Sequence, residues 1–237
     1  MIRPDGRRAD ELRPVTIQRR FTVTPPGSVL VTTGNTQVLC TASIEESVPP
    51  FLEETQQGWI TAEYGMLPGS TPQRKPRGQP DGRMMEIRRL IGRSMRAAID
   101  LASLGHRTIW IDCDVLQADG GTRAAGVTGA YVALVDALRW MRRQKLIAKL
   151  PPVMPVAAVS VGMVKGRPAL DLCYAEDAAA DVDFNVVMTG DGRFVEVQGT
   201  AEREPFDEAG LRRLLRLARK GINQLFQIQR AALRKRL

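Results

Sequence analysis

Residues 108–130, TIWIDCDVLQADGGTRAAGVTGA, contain a predicted strand, a glycine turn and the start of a predicted helix in direct succession. In Thr108–Val115 apolar residues alternate with other residues, which is typical of a β-strand with one buried face. The helix is predicted over about Ala124–Lys145 and opens with small residues. A strand that turns directly into a helix indicates a fold in which sheets pack against helices.

The sequence on either side of this stretch repeats one pattern, a strand hairpin followed by a helix, in residues 28–104 and again in 184–235. Asn35 follows Gly34 in a two-residue turn that is a strong hairpin signal. The strands are predicted at Val15 and Ile17, 28–33, 36–43, 153–164, 169–174, 184–188 and 193–198, and the flanking helices at 84–104 and from Asp207 onward. We therefore predict an α/β (α+β) fold with mixed sheets packed against helices, as a single domain over 1–237 with an internal pseudo-repeat (about 1–105 and 106–237).

The composition points to a polyanionic partner and to a reducing compartment. The formal net charge is +8 and the pI is about 9.9, and residues 211–237 hold nine basic and no acidic side chains. Such a run fits nucleic acid, but a solvated helix face explains it equally well. The cysteines form no C-x-x-C pair, and no apolar run is long enough to cross a bilayer, so we expect a cytoplasmic protein without membrane contact.

Several kinds of catalytic site are excluded. His106 is the only histidine, so histidine triads and histidine metal clusters are not expected. The sequence has no G-x-S-x-G elbow and no P-loop. Any enzyme chemistry must therefore use arginines, aspartates and backbone amides, with or without a metal ion.

The Asp119–Arg123 segment is a candidate anion site. A helix N-terminus presents N–H groups and partial positive charge, Gly121 allows an anion to approach, and Thr122 and Arg123 add donors. The alternative is an ordinary turn in which Thr122 caps the helix and Arg123 faces solvent.

Carboxylates and arginines form two further candidate groups. Asp177 and Asp183 stand six residues apart, close enough to share a Mg²⁺ ion, although an acidic surface loop explains them as well. Most arginines of residues 83–96 are expected in solvent or in ion pairs. Arg83 is the exception, because it lies where the basic, glycine- and proline-rich loop 65–82 meets the helix.

Eight segments together resemble one family, ribonuclease PH, in order and nearly from end to end. They are RPDGRRADELRP, VLCTASIEE, GWITAEYGMLP, GRMMEIRRLIGRSMRA, DCDVLQADGGTRAAGVTGA, AAVSVGMV, DLCYAEDAAADVDFNVVMT and EVQGTAEREPF. The resemblance implies a phosphorolytic 3′-to-5′ exoribonuclease that uses inorganic phosphate to trim tRNA precursors and other RNA 3′ ends. It also implies a homo-oligomer, a hexameric ring built as a trimer of dimers.

The resemblance further implies roles for individual residues. Phosphate would bind Arg83, Gly121, Thr122 and Arg123, and Asp177 and Asp183 would serve as metal ligands and catalytic groups. We also expect Arg74 and Arg77, in the basic loop, to bind RNA. Two other functions stay open, a catalytically silent RNA-binding ring subunit and a plain basic RNA-binding protein, but neither requires the phosphate site and the aspartates together.

Overall fold

The computed structural model describes residues 3–55, 57–77 and 81–235. Its strands are β1 (Val15–Arg19), β2 (Gly27–Thr33), β3 (Thr36–Glu45), β4 (Trp59–Met66), β5 (Thr108–Gln117), β6 (Val156–Val164), β7 (Arg167–Leu170), β8 (Val182–Thr189) and β9 (Phe194–Ala201). Its α-helices are α1 (Gly82–Arg96), α2 (Thr122–Arg143), α3 (Tyr174–Asp177) and α4 (Glu208–Arg234), and short 3-10 helices lie at Pro50–Leu52 and Leu101–Leu104.

The strands form two sheets. The first has the order β1-β2-β3-β5-β4, and the second has the order β7-β6-β8-β9. All neighbouring strands are antiparallel except β4 and β5, which run parallel. The fold class predicted from the sequence is confirmed.

Helix α2 lies between the sheets and is buried from Ala124 to Leu138. A helix that is apolar on all sides needs packing partners on all sides, and α2 contacts β2 and β3 of one sheet and β6 of the other. Its small residues allow this close packing, since a Cβ at Gly129 would lie 2.7 Å from the Cys40 sulfur. The N-terminus of α2 is thereby fixed at the junction of the two sheets.

Helix α4 covers the second sheet. Its apolar face packs on β6, β7 and β8, with Leu214, Ala218 and Ile222 fully buried. Asp207 caps the helix as predicted, because its carboxylate accepts a hydrogen bond of 2.6 Å from the Gly210 N–H.

Two predicted elements run well past their observed C-terminal ends. The predicted helix 84–104 ends at Arg96, because Asp100 starts a separate 3-10 turn by accepting a bond of 3.1 Å from the Ala102 N–H. The predicted strand 169–174 ends at Leu170, because Asp171 adopts a φ of +54° and turns the chain toward α3.

Other expectations have mixed outcomes. No strand is predicted from the sequence in the GWITAEYGM segment, where the structure has β4. Loop 65–82 falls partly outside the described residues, since 78–80 are not described. That the whole chain, 1–237, is one domain with a pseudo-repeat at about 1–105 and 106–237 stays a prediction.

Candidate active site

The turn before α2 brings two segments of backbone into direct contact. Gly120 and Gly121 have φ angles of +74° and +69°, which L residues with side chains rarely adopt. A Cβ at Gly120 would lie only 2.6 Å from the carbonyl oxygen of Leu172. Glycine at this position therefore lets the turn that opens α2 pack against the segment leading to Asp177.

The first turn of α2 provides the candidate anion site. Gly121 is the N-cap residue and no side chain caps the helix, so the expectation that Thr122 could be an ordinary N-cap is not met. The Thr122 hydroxyl instead lies 2.8 Å from the hydroxyl of Tyr64, a side chain only 3% exposed. Tyr64 on β4 thus fixes the orientation of Thr122 at the helix N-terminus.

Arg123 is held by polar side chains from two other elements. One guanidinium nitrogen donates to Glu86 of α1 at 3.0 Å and to Gln198 of β9 at 2.6 Å. Gln198 also donates to Glu86 at 2.8 Å, so the three side chains form a closed group. The Arg123 side chain is only 16% exposed, and it is oriented rather than free in solvent.

The two aspartates come together with the arginines. Asp177 ends α3 and Asp183 lies in β8, and both are half-buried. Burial raises the pKa of each, and the Asp177 charge raises the pKa of Asp183 further. The positive charges of Arg83 and Arg123 act in the opposite direction on the pKa of Asp177. Asp177 is therefore within electrostatic range of Arg83 and Arg123, and Asp183 is within range of Asp177 and Arg123.

The remaining sequence-predicted residues are exposed. Arg83 lies in the first turn of α1, which Asp81 caps by accepting a 2.8 Å bond from the Met84 N–H. Arg74 and Arg77 lie in the segment after β4, and no hydrogen bond or ion pair within the described residues joins them to the aspartates. Arg83 is thus near enough for its charge to act on Asp177, and the phosphate-binding role of Arg83 and the RNA-binding role of Arg74 and Arg77 stay predictions.

A buried ionic network supports this site, and sequence reasoning missed it. Arg13 donates to the Asp119 carbonyl at 2.6 Å and to both carboxylate oxygens of Asp171, at 2.6 and 3.0 Å. Arg3 donates to both oxygens of Glu176, at 2.6 and 2.7 Å. The expectation of an acidic surface loop is wrong for Glu176, which is 2% exposed. The only available signal was the arginine-rich N-terminal segment.

The oxygen ligands for a cation are few. The described part of the chain contains no group of three or more histidine, cysteine, aspartate or glutamate side chains arranged to hold a metal ion. Asp177 and Asp183 would offer two carboxylates, and the negative charge of Glu202 also acts on both. Two carboxylates suit Mg²⁺, which keeps several waters and uses substrate phosphates as further ligands.

The comparisons with known proteins define the class. Two models of the 3′ exoribonuclease family match the chain, domain 1 over residues 11–139 and domain 2 over residues 154–221. The chain therefore belongs to the 3′ exoribonuclease family, whose models are those of ribonuclease PH.

Two curated relatives of the chain are ribonuclease PH proteins. A ribonuclease PH of Corynebacterium efficiens is 56% identical over 98% of this chain and 96% of its own length. A ribonuclease PH of Corynebacterium kroppenstedtii is 54% identical over 99% of this chain and 94% of its own length. The resemblance found in the sequence is confirmed.

Solved structures share the fold. The Archaeoglobus fulgidus exosome with RNA bound to the active site has a TM-score of 0.81 and 26% identity, covering 95% of this chain and 91% of its own. Rice (Oryza sativa) Rrp46 has a TM-score of 0.80 over 98% of this chain and 100% of its own, at 18% identity, and supports the fold alone. Among the residues described, no helix has the length and apolar character needed to span a membrane.

Proposed function

We propose that the chain is a phosphorolytic 3′-to-5′ exoribonuclease that trims tRNA precursors, converting RNA(n+1) and phosphate to RNA(n) and a nucleoside diphosphate. The observation that supports it most is the meeting of the α2 N-terminus with Asp177 and Asp183, two carboxyl groups of raised pKa. The relatives named ribonuclease PH cover the whole site.

Phosphate binds at the N-terminus of α2. Backbone N–H groups near Gly121, the Thr122 hydroxyl and the Arg123 guanidinium offer donors, and a helix N-terminus favours an anion. Arg83 adds a second positive charge. Because Tyr64, Glu86 and Gln198 already fix Thr122 and Arg123, little reorganisation is needed when phosphate enters.

The reaction is an in-line displacement. A phosphate oxygen attacks the phosphorus of the terminal phosphodiester, and the bond from that phosphorus to the 3′ oxygen of the preceding nucleotide breaks. The leaving 3′ oxygen takes a proton from Asp177 or Asp183, whose raised pKa values favour a protonated form. The reverse reaction uses the same groups, so nucleoside diphosphates should also extend RNA.

Magnesium fits the same carboxylates. Asp177 and Asp183 would hold Mg²⁺, which when bound would supply positive charge beside the transferred phosphoryl group. The two carboxylates also repel each other, which a cation between them would relieve.

RNA binding and assembly complete the proposal. Arg74 and Arg77 contact the RNA backbone before it reaches the site. The chain forms a homo-oligomeric ring, a hexamer of three dimers. A structural relative, the Archaeoglobus fulgidus exosome, has RNA bound to its active site. The enzyme works in the cytoplasm, and its cysteines, Cys40, Cys113 and Cys173, are free and buried, as expected in a reducing compartment.

The test is nucleotide release from a tRNA with a 3′ extension, in Mg²⁺, with and without phosphate. Nucleoside diphosphates should appear only with phosphate, and Arg123→Ala should lower the rate about 10²–10³-fold. Arg193→Ala is the matched control, because Arg193 is 78% exposed and pairs with Asp191 in the turn between β8 and β9 at 2.6 Å. Nucleoside monophosphates released without phosphate would contradict phosphorolysis, and RNA binding without release would indicate the silent ring subunit.

A further inference from the structure

A second basic surface lies at the opposite end of α2 from the active site. The 22 residues of α2 give it a length of about 33 Å, so this surface is remote from the phosphate site of the same chain. We call it the distal basic surface, and its cationic side chains come from the end of α2, the residues after it, the end of α4 and the residue after β1. They are Arg20, Arg139, Arg142, Arg143, Lys145, Lys149, Arg230, Arg234 and Lys235.

Hydrogen bonds join the elements that carry these side chains. Arg139 donates to the Leu233 carbonyl at 3.0 Å, which links the end of α2 to the end of α4. Arg19 donates to the carbonyls of Ala232 and Lys235 at 3.0 and 2.7 Å, which links β1 to the same end. The ends of α2, β1 and α4 that carry most of these cations therefore adjoin one another.

Two shallow grooves run through this face. Arg20, Trp140 and Arg143 help to line one, with a volume of about 270 Å³. Arg139, Arg142, Arg143 and Leu150 line the other, with a volume of about 370 Å³. Arg143 lines both grooves, so the two adjoin at a positively charged side chain.

Nearby carboxylates do not neutralise the surface. Asp136 is the acidic side chain in these grooves, but it is 4% exposed and is bonded to Arg19, with Arg139 at 3.7 Å. Within the described ranges, no carboxylate lies within ion-pair distance of Arg142, Arg143 or Lys149. The ends of α2 and α4 carry a combined partial charge of about −1, which nine cations greatly exceed.

We propose that the distal basic surface binds the sugar–phosphate backbone of the folded part of the RNA substrate, while the 3′ end enters the active site. The inference rests on the proposed function, because it assigns a place for the body of a structured RNA. Cationic side chains that are spread along shallow grooves fit a long polyanion better than a small phosphate compound. The surface should therefore favour structured precursors over short single strands without reading their sequence.

The experiment measures the kinetics of wild type and of the charge-removing variant Arg142→Ala/Arg143→Ala on two substrates, a tRNA precursor and a short single-stranded oligonucleotide. KM for a tRNA precursor should rise about tenfold near 0.15 M salt, and the slope of log KM against log salt should fall by about two. The kcat on the precursor, and both constants for a short single-stranded oligonucleotide, should stay unchanged. Arg213→Ala/Arg216→Ala removes the same charge from an exposed face of α4 and should leave both substrates unaffected.

Each other outcome overturns the inference. An equal change on both substrates would mean that the variant disturbs the active site, and no change would mean that the surface does not bind RNA. A changed assembly mass in sedimentation would instead identify the surface as a contact between subunits. Binding of the precursor is also measured without phosphate, by fluorescence anisotropy. Because this binding does not require phosphorolysis, its loss in the variant supports the distal basic surface, and its retention counts against that surface, even if the phosphorolysis proposal fails.

Discussion

Arg13 binds both carboxylate oxygens of Asp171 and, with the same guanidinium, the Asp119 carbonyl of the turn before α2. Both residues are 4% exposed. Asp171 leads into the segment that carries Asp177, while Asp119 precedes Gly121 and Thr122. One arginine near the N-terminus therefore fixes the spacing between the proposed phosphate site and the proposed catalytic aspartates.

Replacing Arg13 should destabilise the protein strongly. Arg13→Ala leaves the Asp171 carboxylate buried with part of its hydrogen bonding lost, which costs about 3–5 kcal/mol in comparable buried pairs. The free energy of unfolding, measured by urea denaturation, should fall by that amount. Arg8→Ala, at a side chain that is 78% exposed, is the control and should change it by less than about 0.5 kcal/mol. A stable Arg13→Ala variant would show that the ion pair is dispensable.

The sequence revealed the parts of this site that depend on local pattern. The strand, the glycine turn and the helix N-terminus are adjacent in the chain, and Asp177 and Asp183 are six residues apart. The partners of the arginines were not predictable in this way. Arg13 and Asp171 are 158 positions apart, and their pairing depends on how the two sheets approach each other.

The same limit applies to the missed strand. Strand β4 pairs in parallel with β5, and the connection between them includes α1, so no hairpin signal marks it. Tyr64 lies in this strand, and its bond to Thr122 was therefore also missed. The helix after residue 84 was predicted, but its end was not, because Asp100 forms a local cap that interrupts the apolar pattern.

A positive charge alone at position 123 should not be enough for full activity. Arg123→Lys keeps the positive charge, but an ammonium group lacks the planar fork that can bond Glu86, Gln198 and phosphate together. We expect kcat/KM for phosphate to fall by about tenfold or more, measured from phosphate saturation of nucleoside diphosphate release. Arg193→Lys, in the surface pair with Asp191, should behave as the wild type. Equal kinetics for wild type and Arg123→Lys would reduce the role of Arg123 to that of a point charge.

Removing the charge of Asp183 should raise stability and abolish activity. Burial raises its folded-state pKa above the ordinary value of 3.8, so the folded state binds a proton more tightly than the unfolded state does. Its stabilising contribution is complete below pH 3.8 and is lost as the pH rises through the raised pKa. At pH 7 without divalent cations, Asp183→Asn should therefore unfold at a higher urea concentration than wild type.

The pH series provides the check. The stability difference between Asp183→Asn and wild type should shrink as the pH falls toward 3.8. In the folded wild type the Asp183 carboxyl then becomes protonated and uncharged, like the amide that replaces it in the variant. Asp181→Asn is the control, since Asp181 lies at the surface of the same segment and contacts Arg203 at 3.7 Å. A destabilised, inactive Asp183→Asn variant at pH 7 would indicate that Asp183 has a structural role instead.

A Cβ at Gly120 should separate the two halves of the active site. The added atom would meet the Leu172 carbonyl oxygen at 2.6 Å and the backbone nitrogen of Tyr174 at 2.8 Å, and neither is a flexible side-chain end. Gly120→Ala should cost about 3 kcal/mol or more, since it adds overpacking to the strain of a positive φ.

Gly166→Ala separates these two causes. Gly166 has a φ of +70°, close to that of Gly120, but nothing lies within 4 Å of its Cβ position. This control should lose only about 1–2 kcal/mol and should keep full phosphorolysis. Gly120→Ala should also raise KM for phosphate, because displaced backbone at residues 172–174 moves Asp177 relative to Thr122 and Arg123. Equal losses of stability and activity in the two variants would show that backbone conformation alone, and not the contact between the turn and the Asp177 segment, makes glycine necessary at position 120.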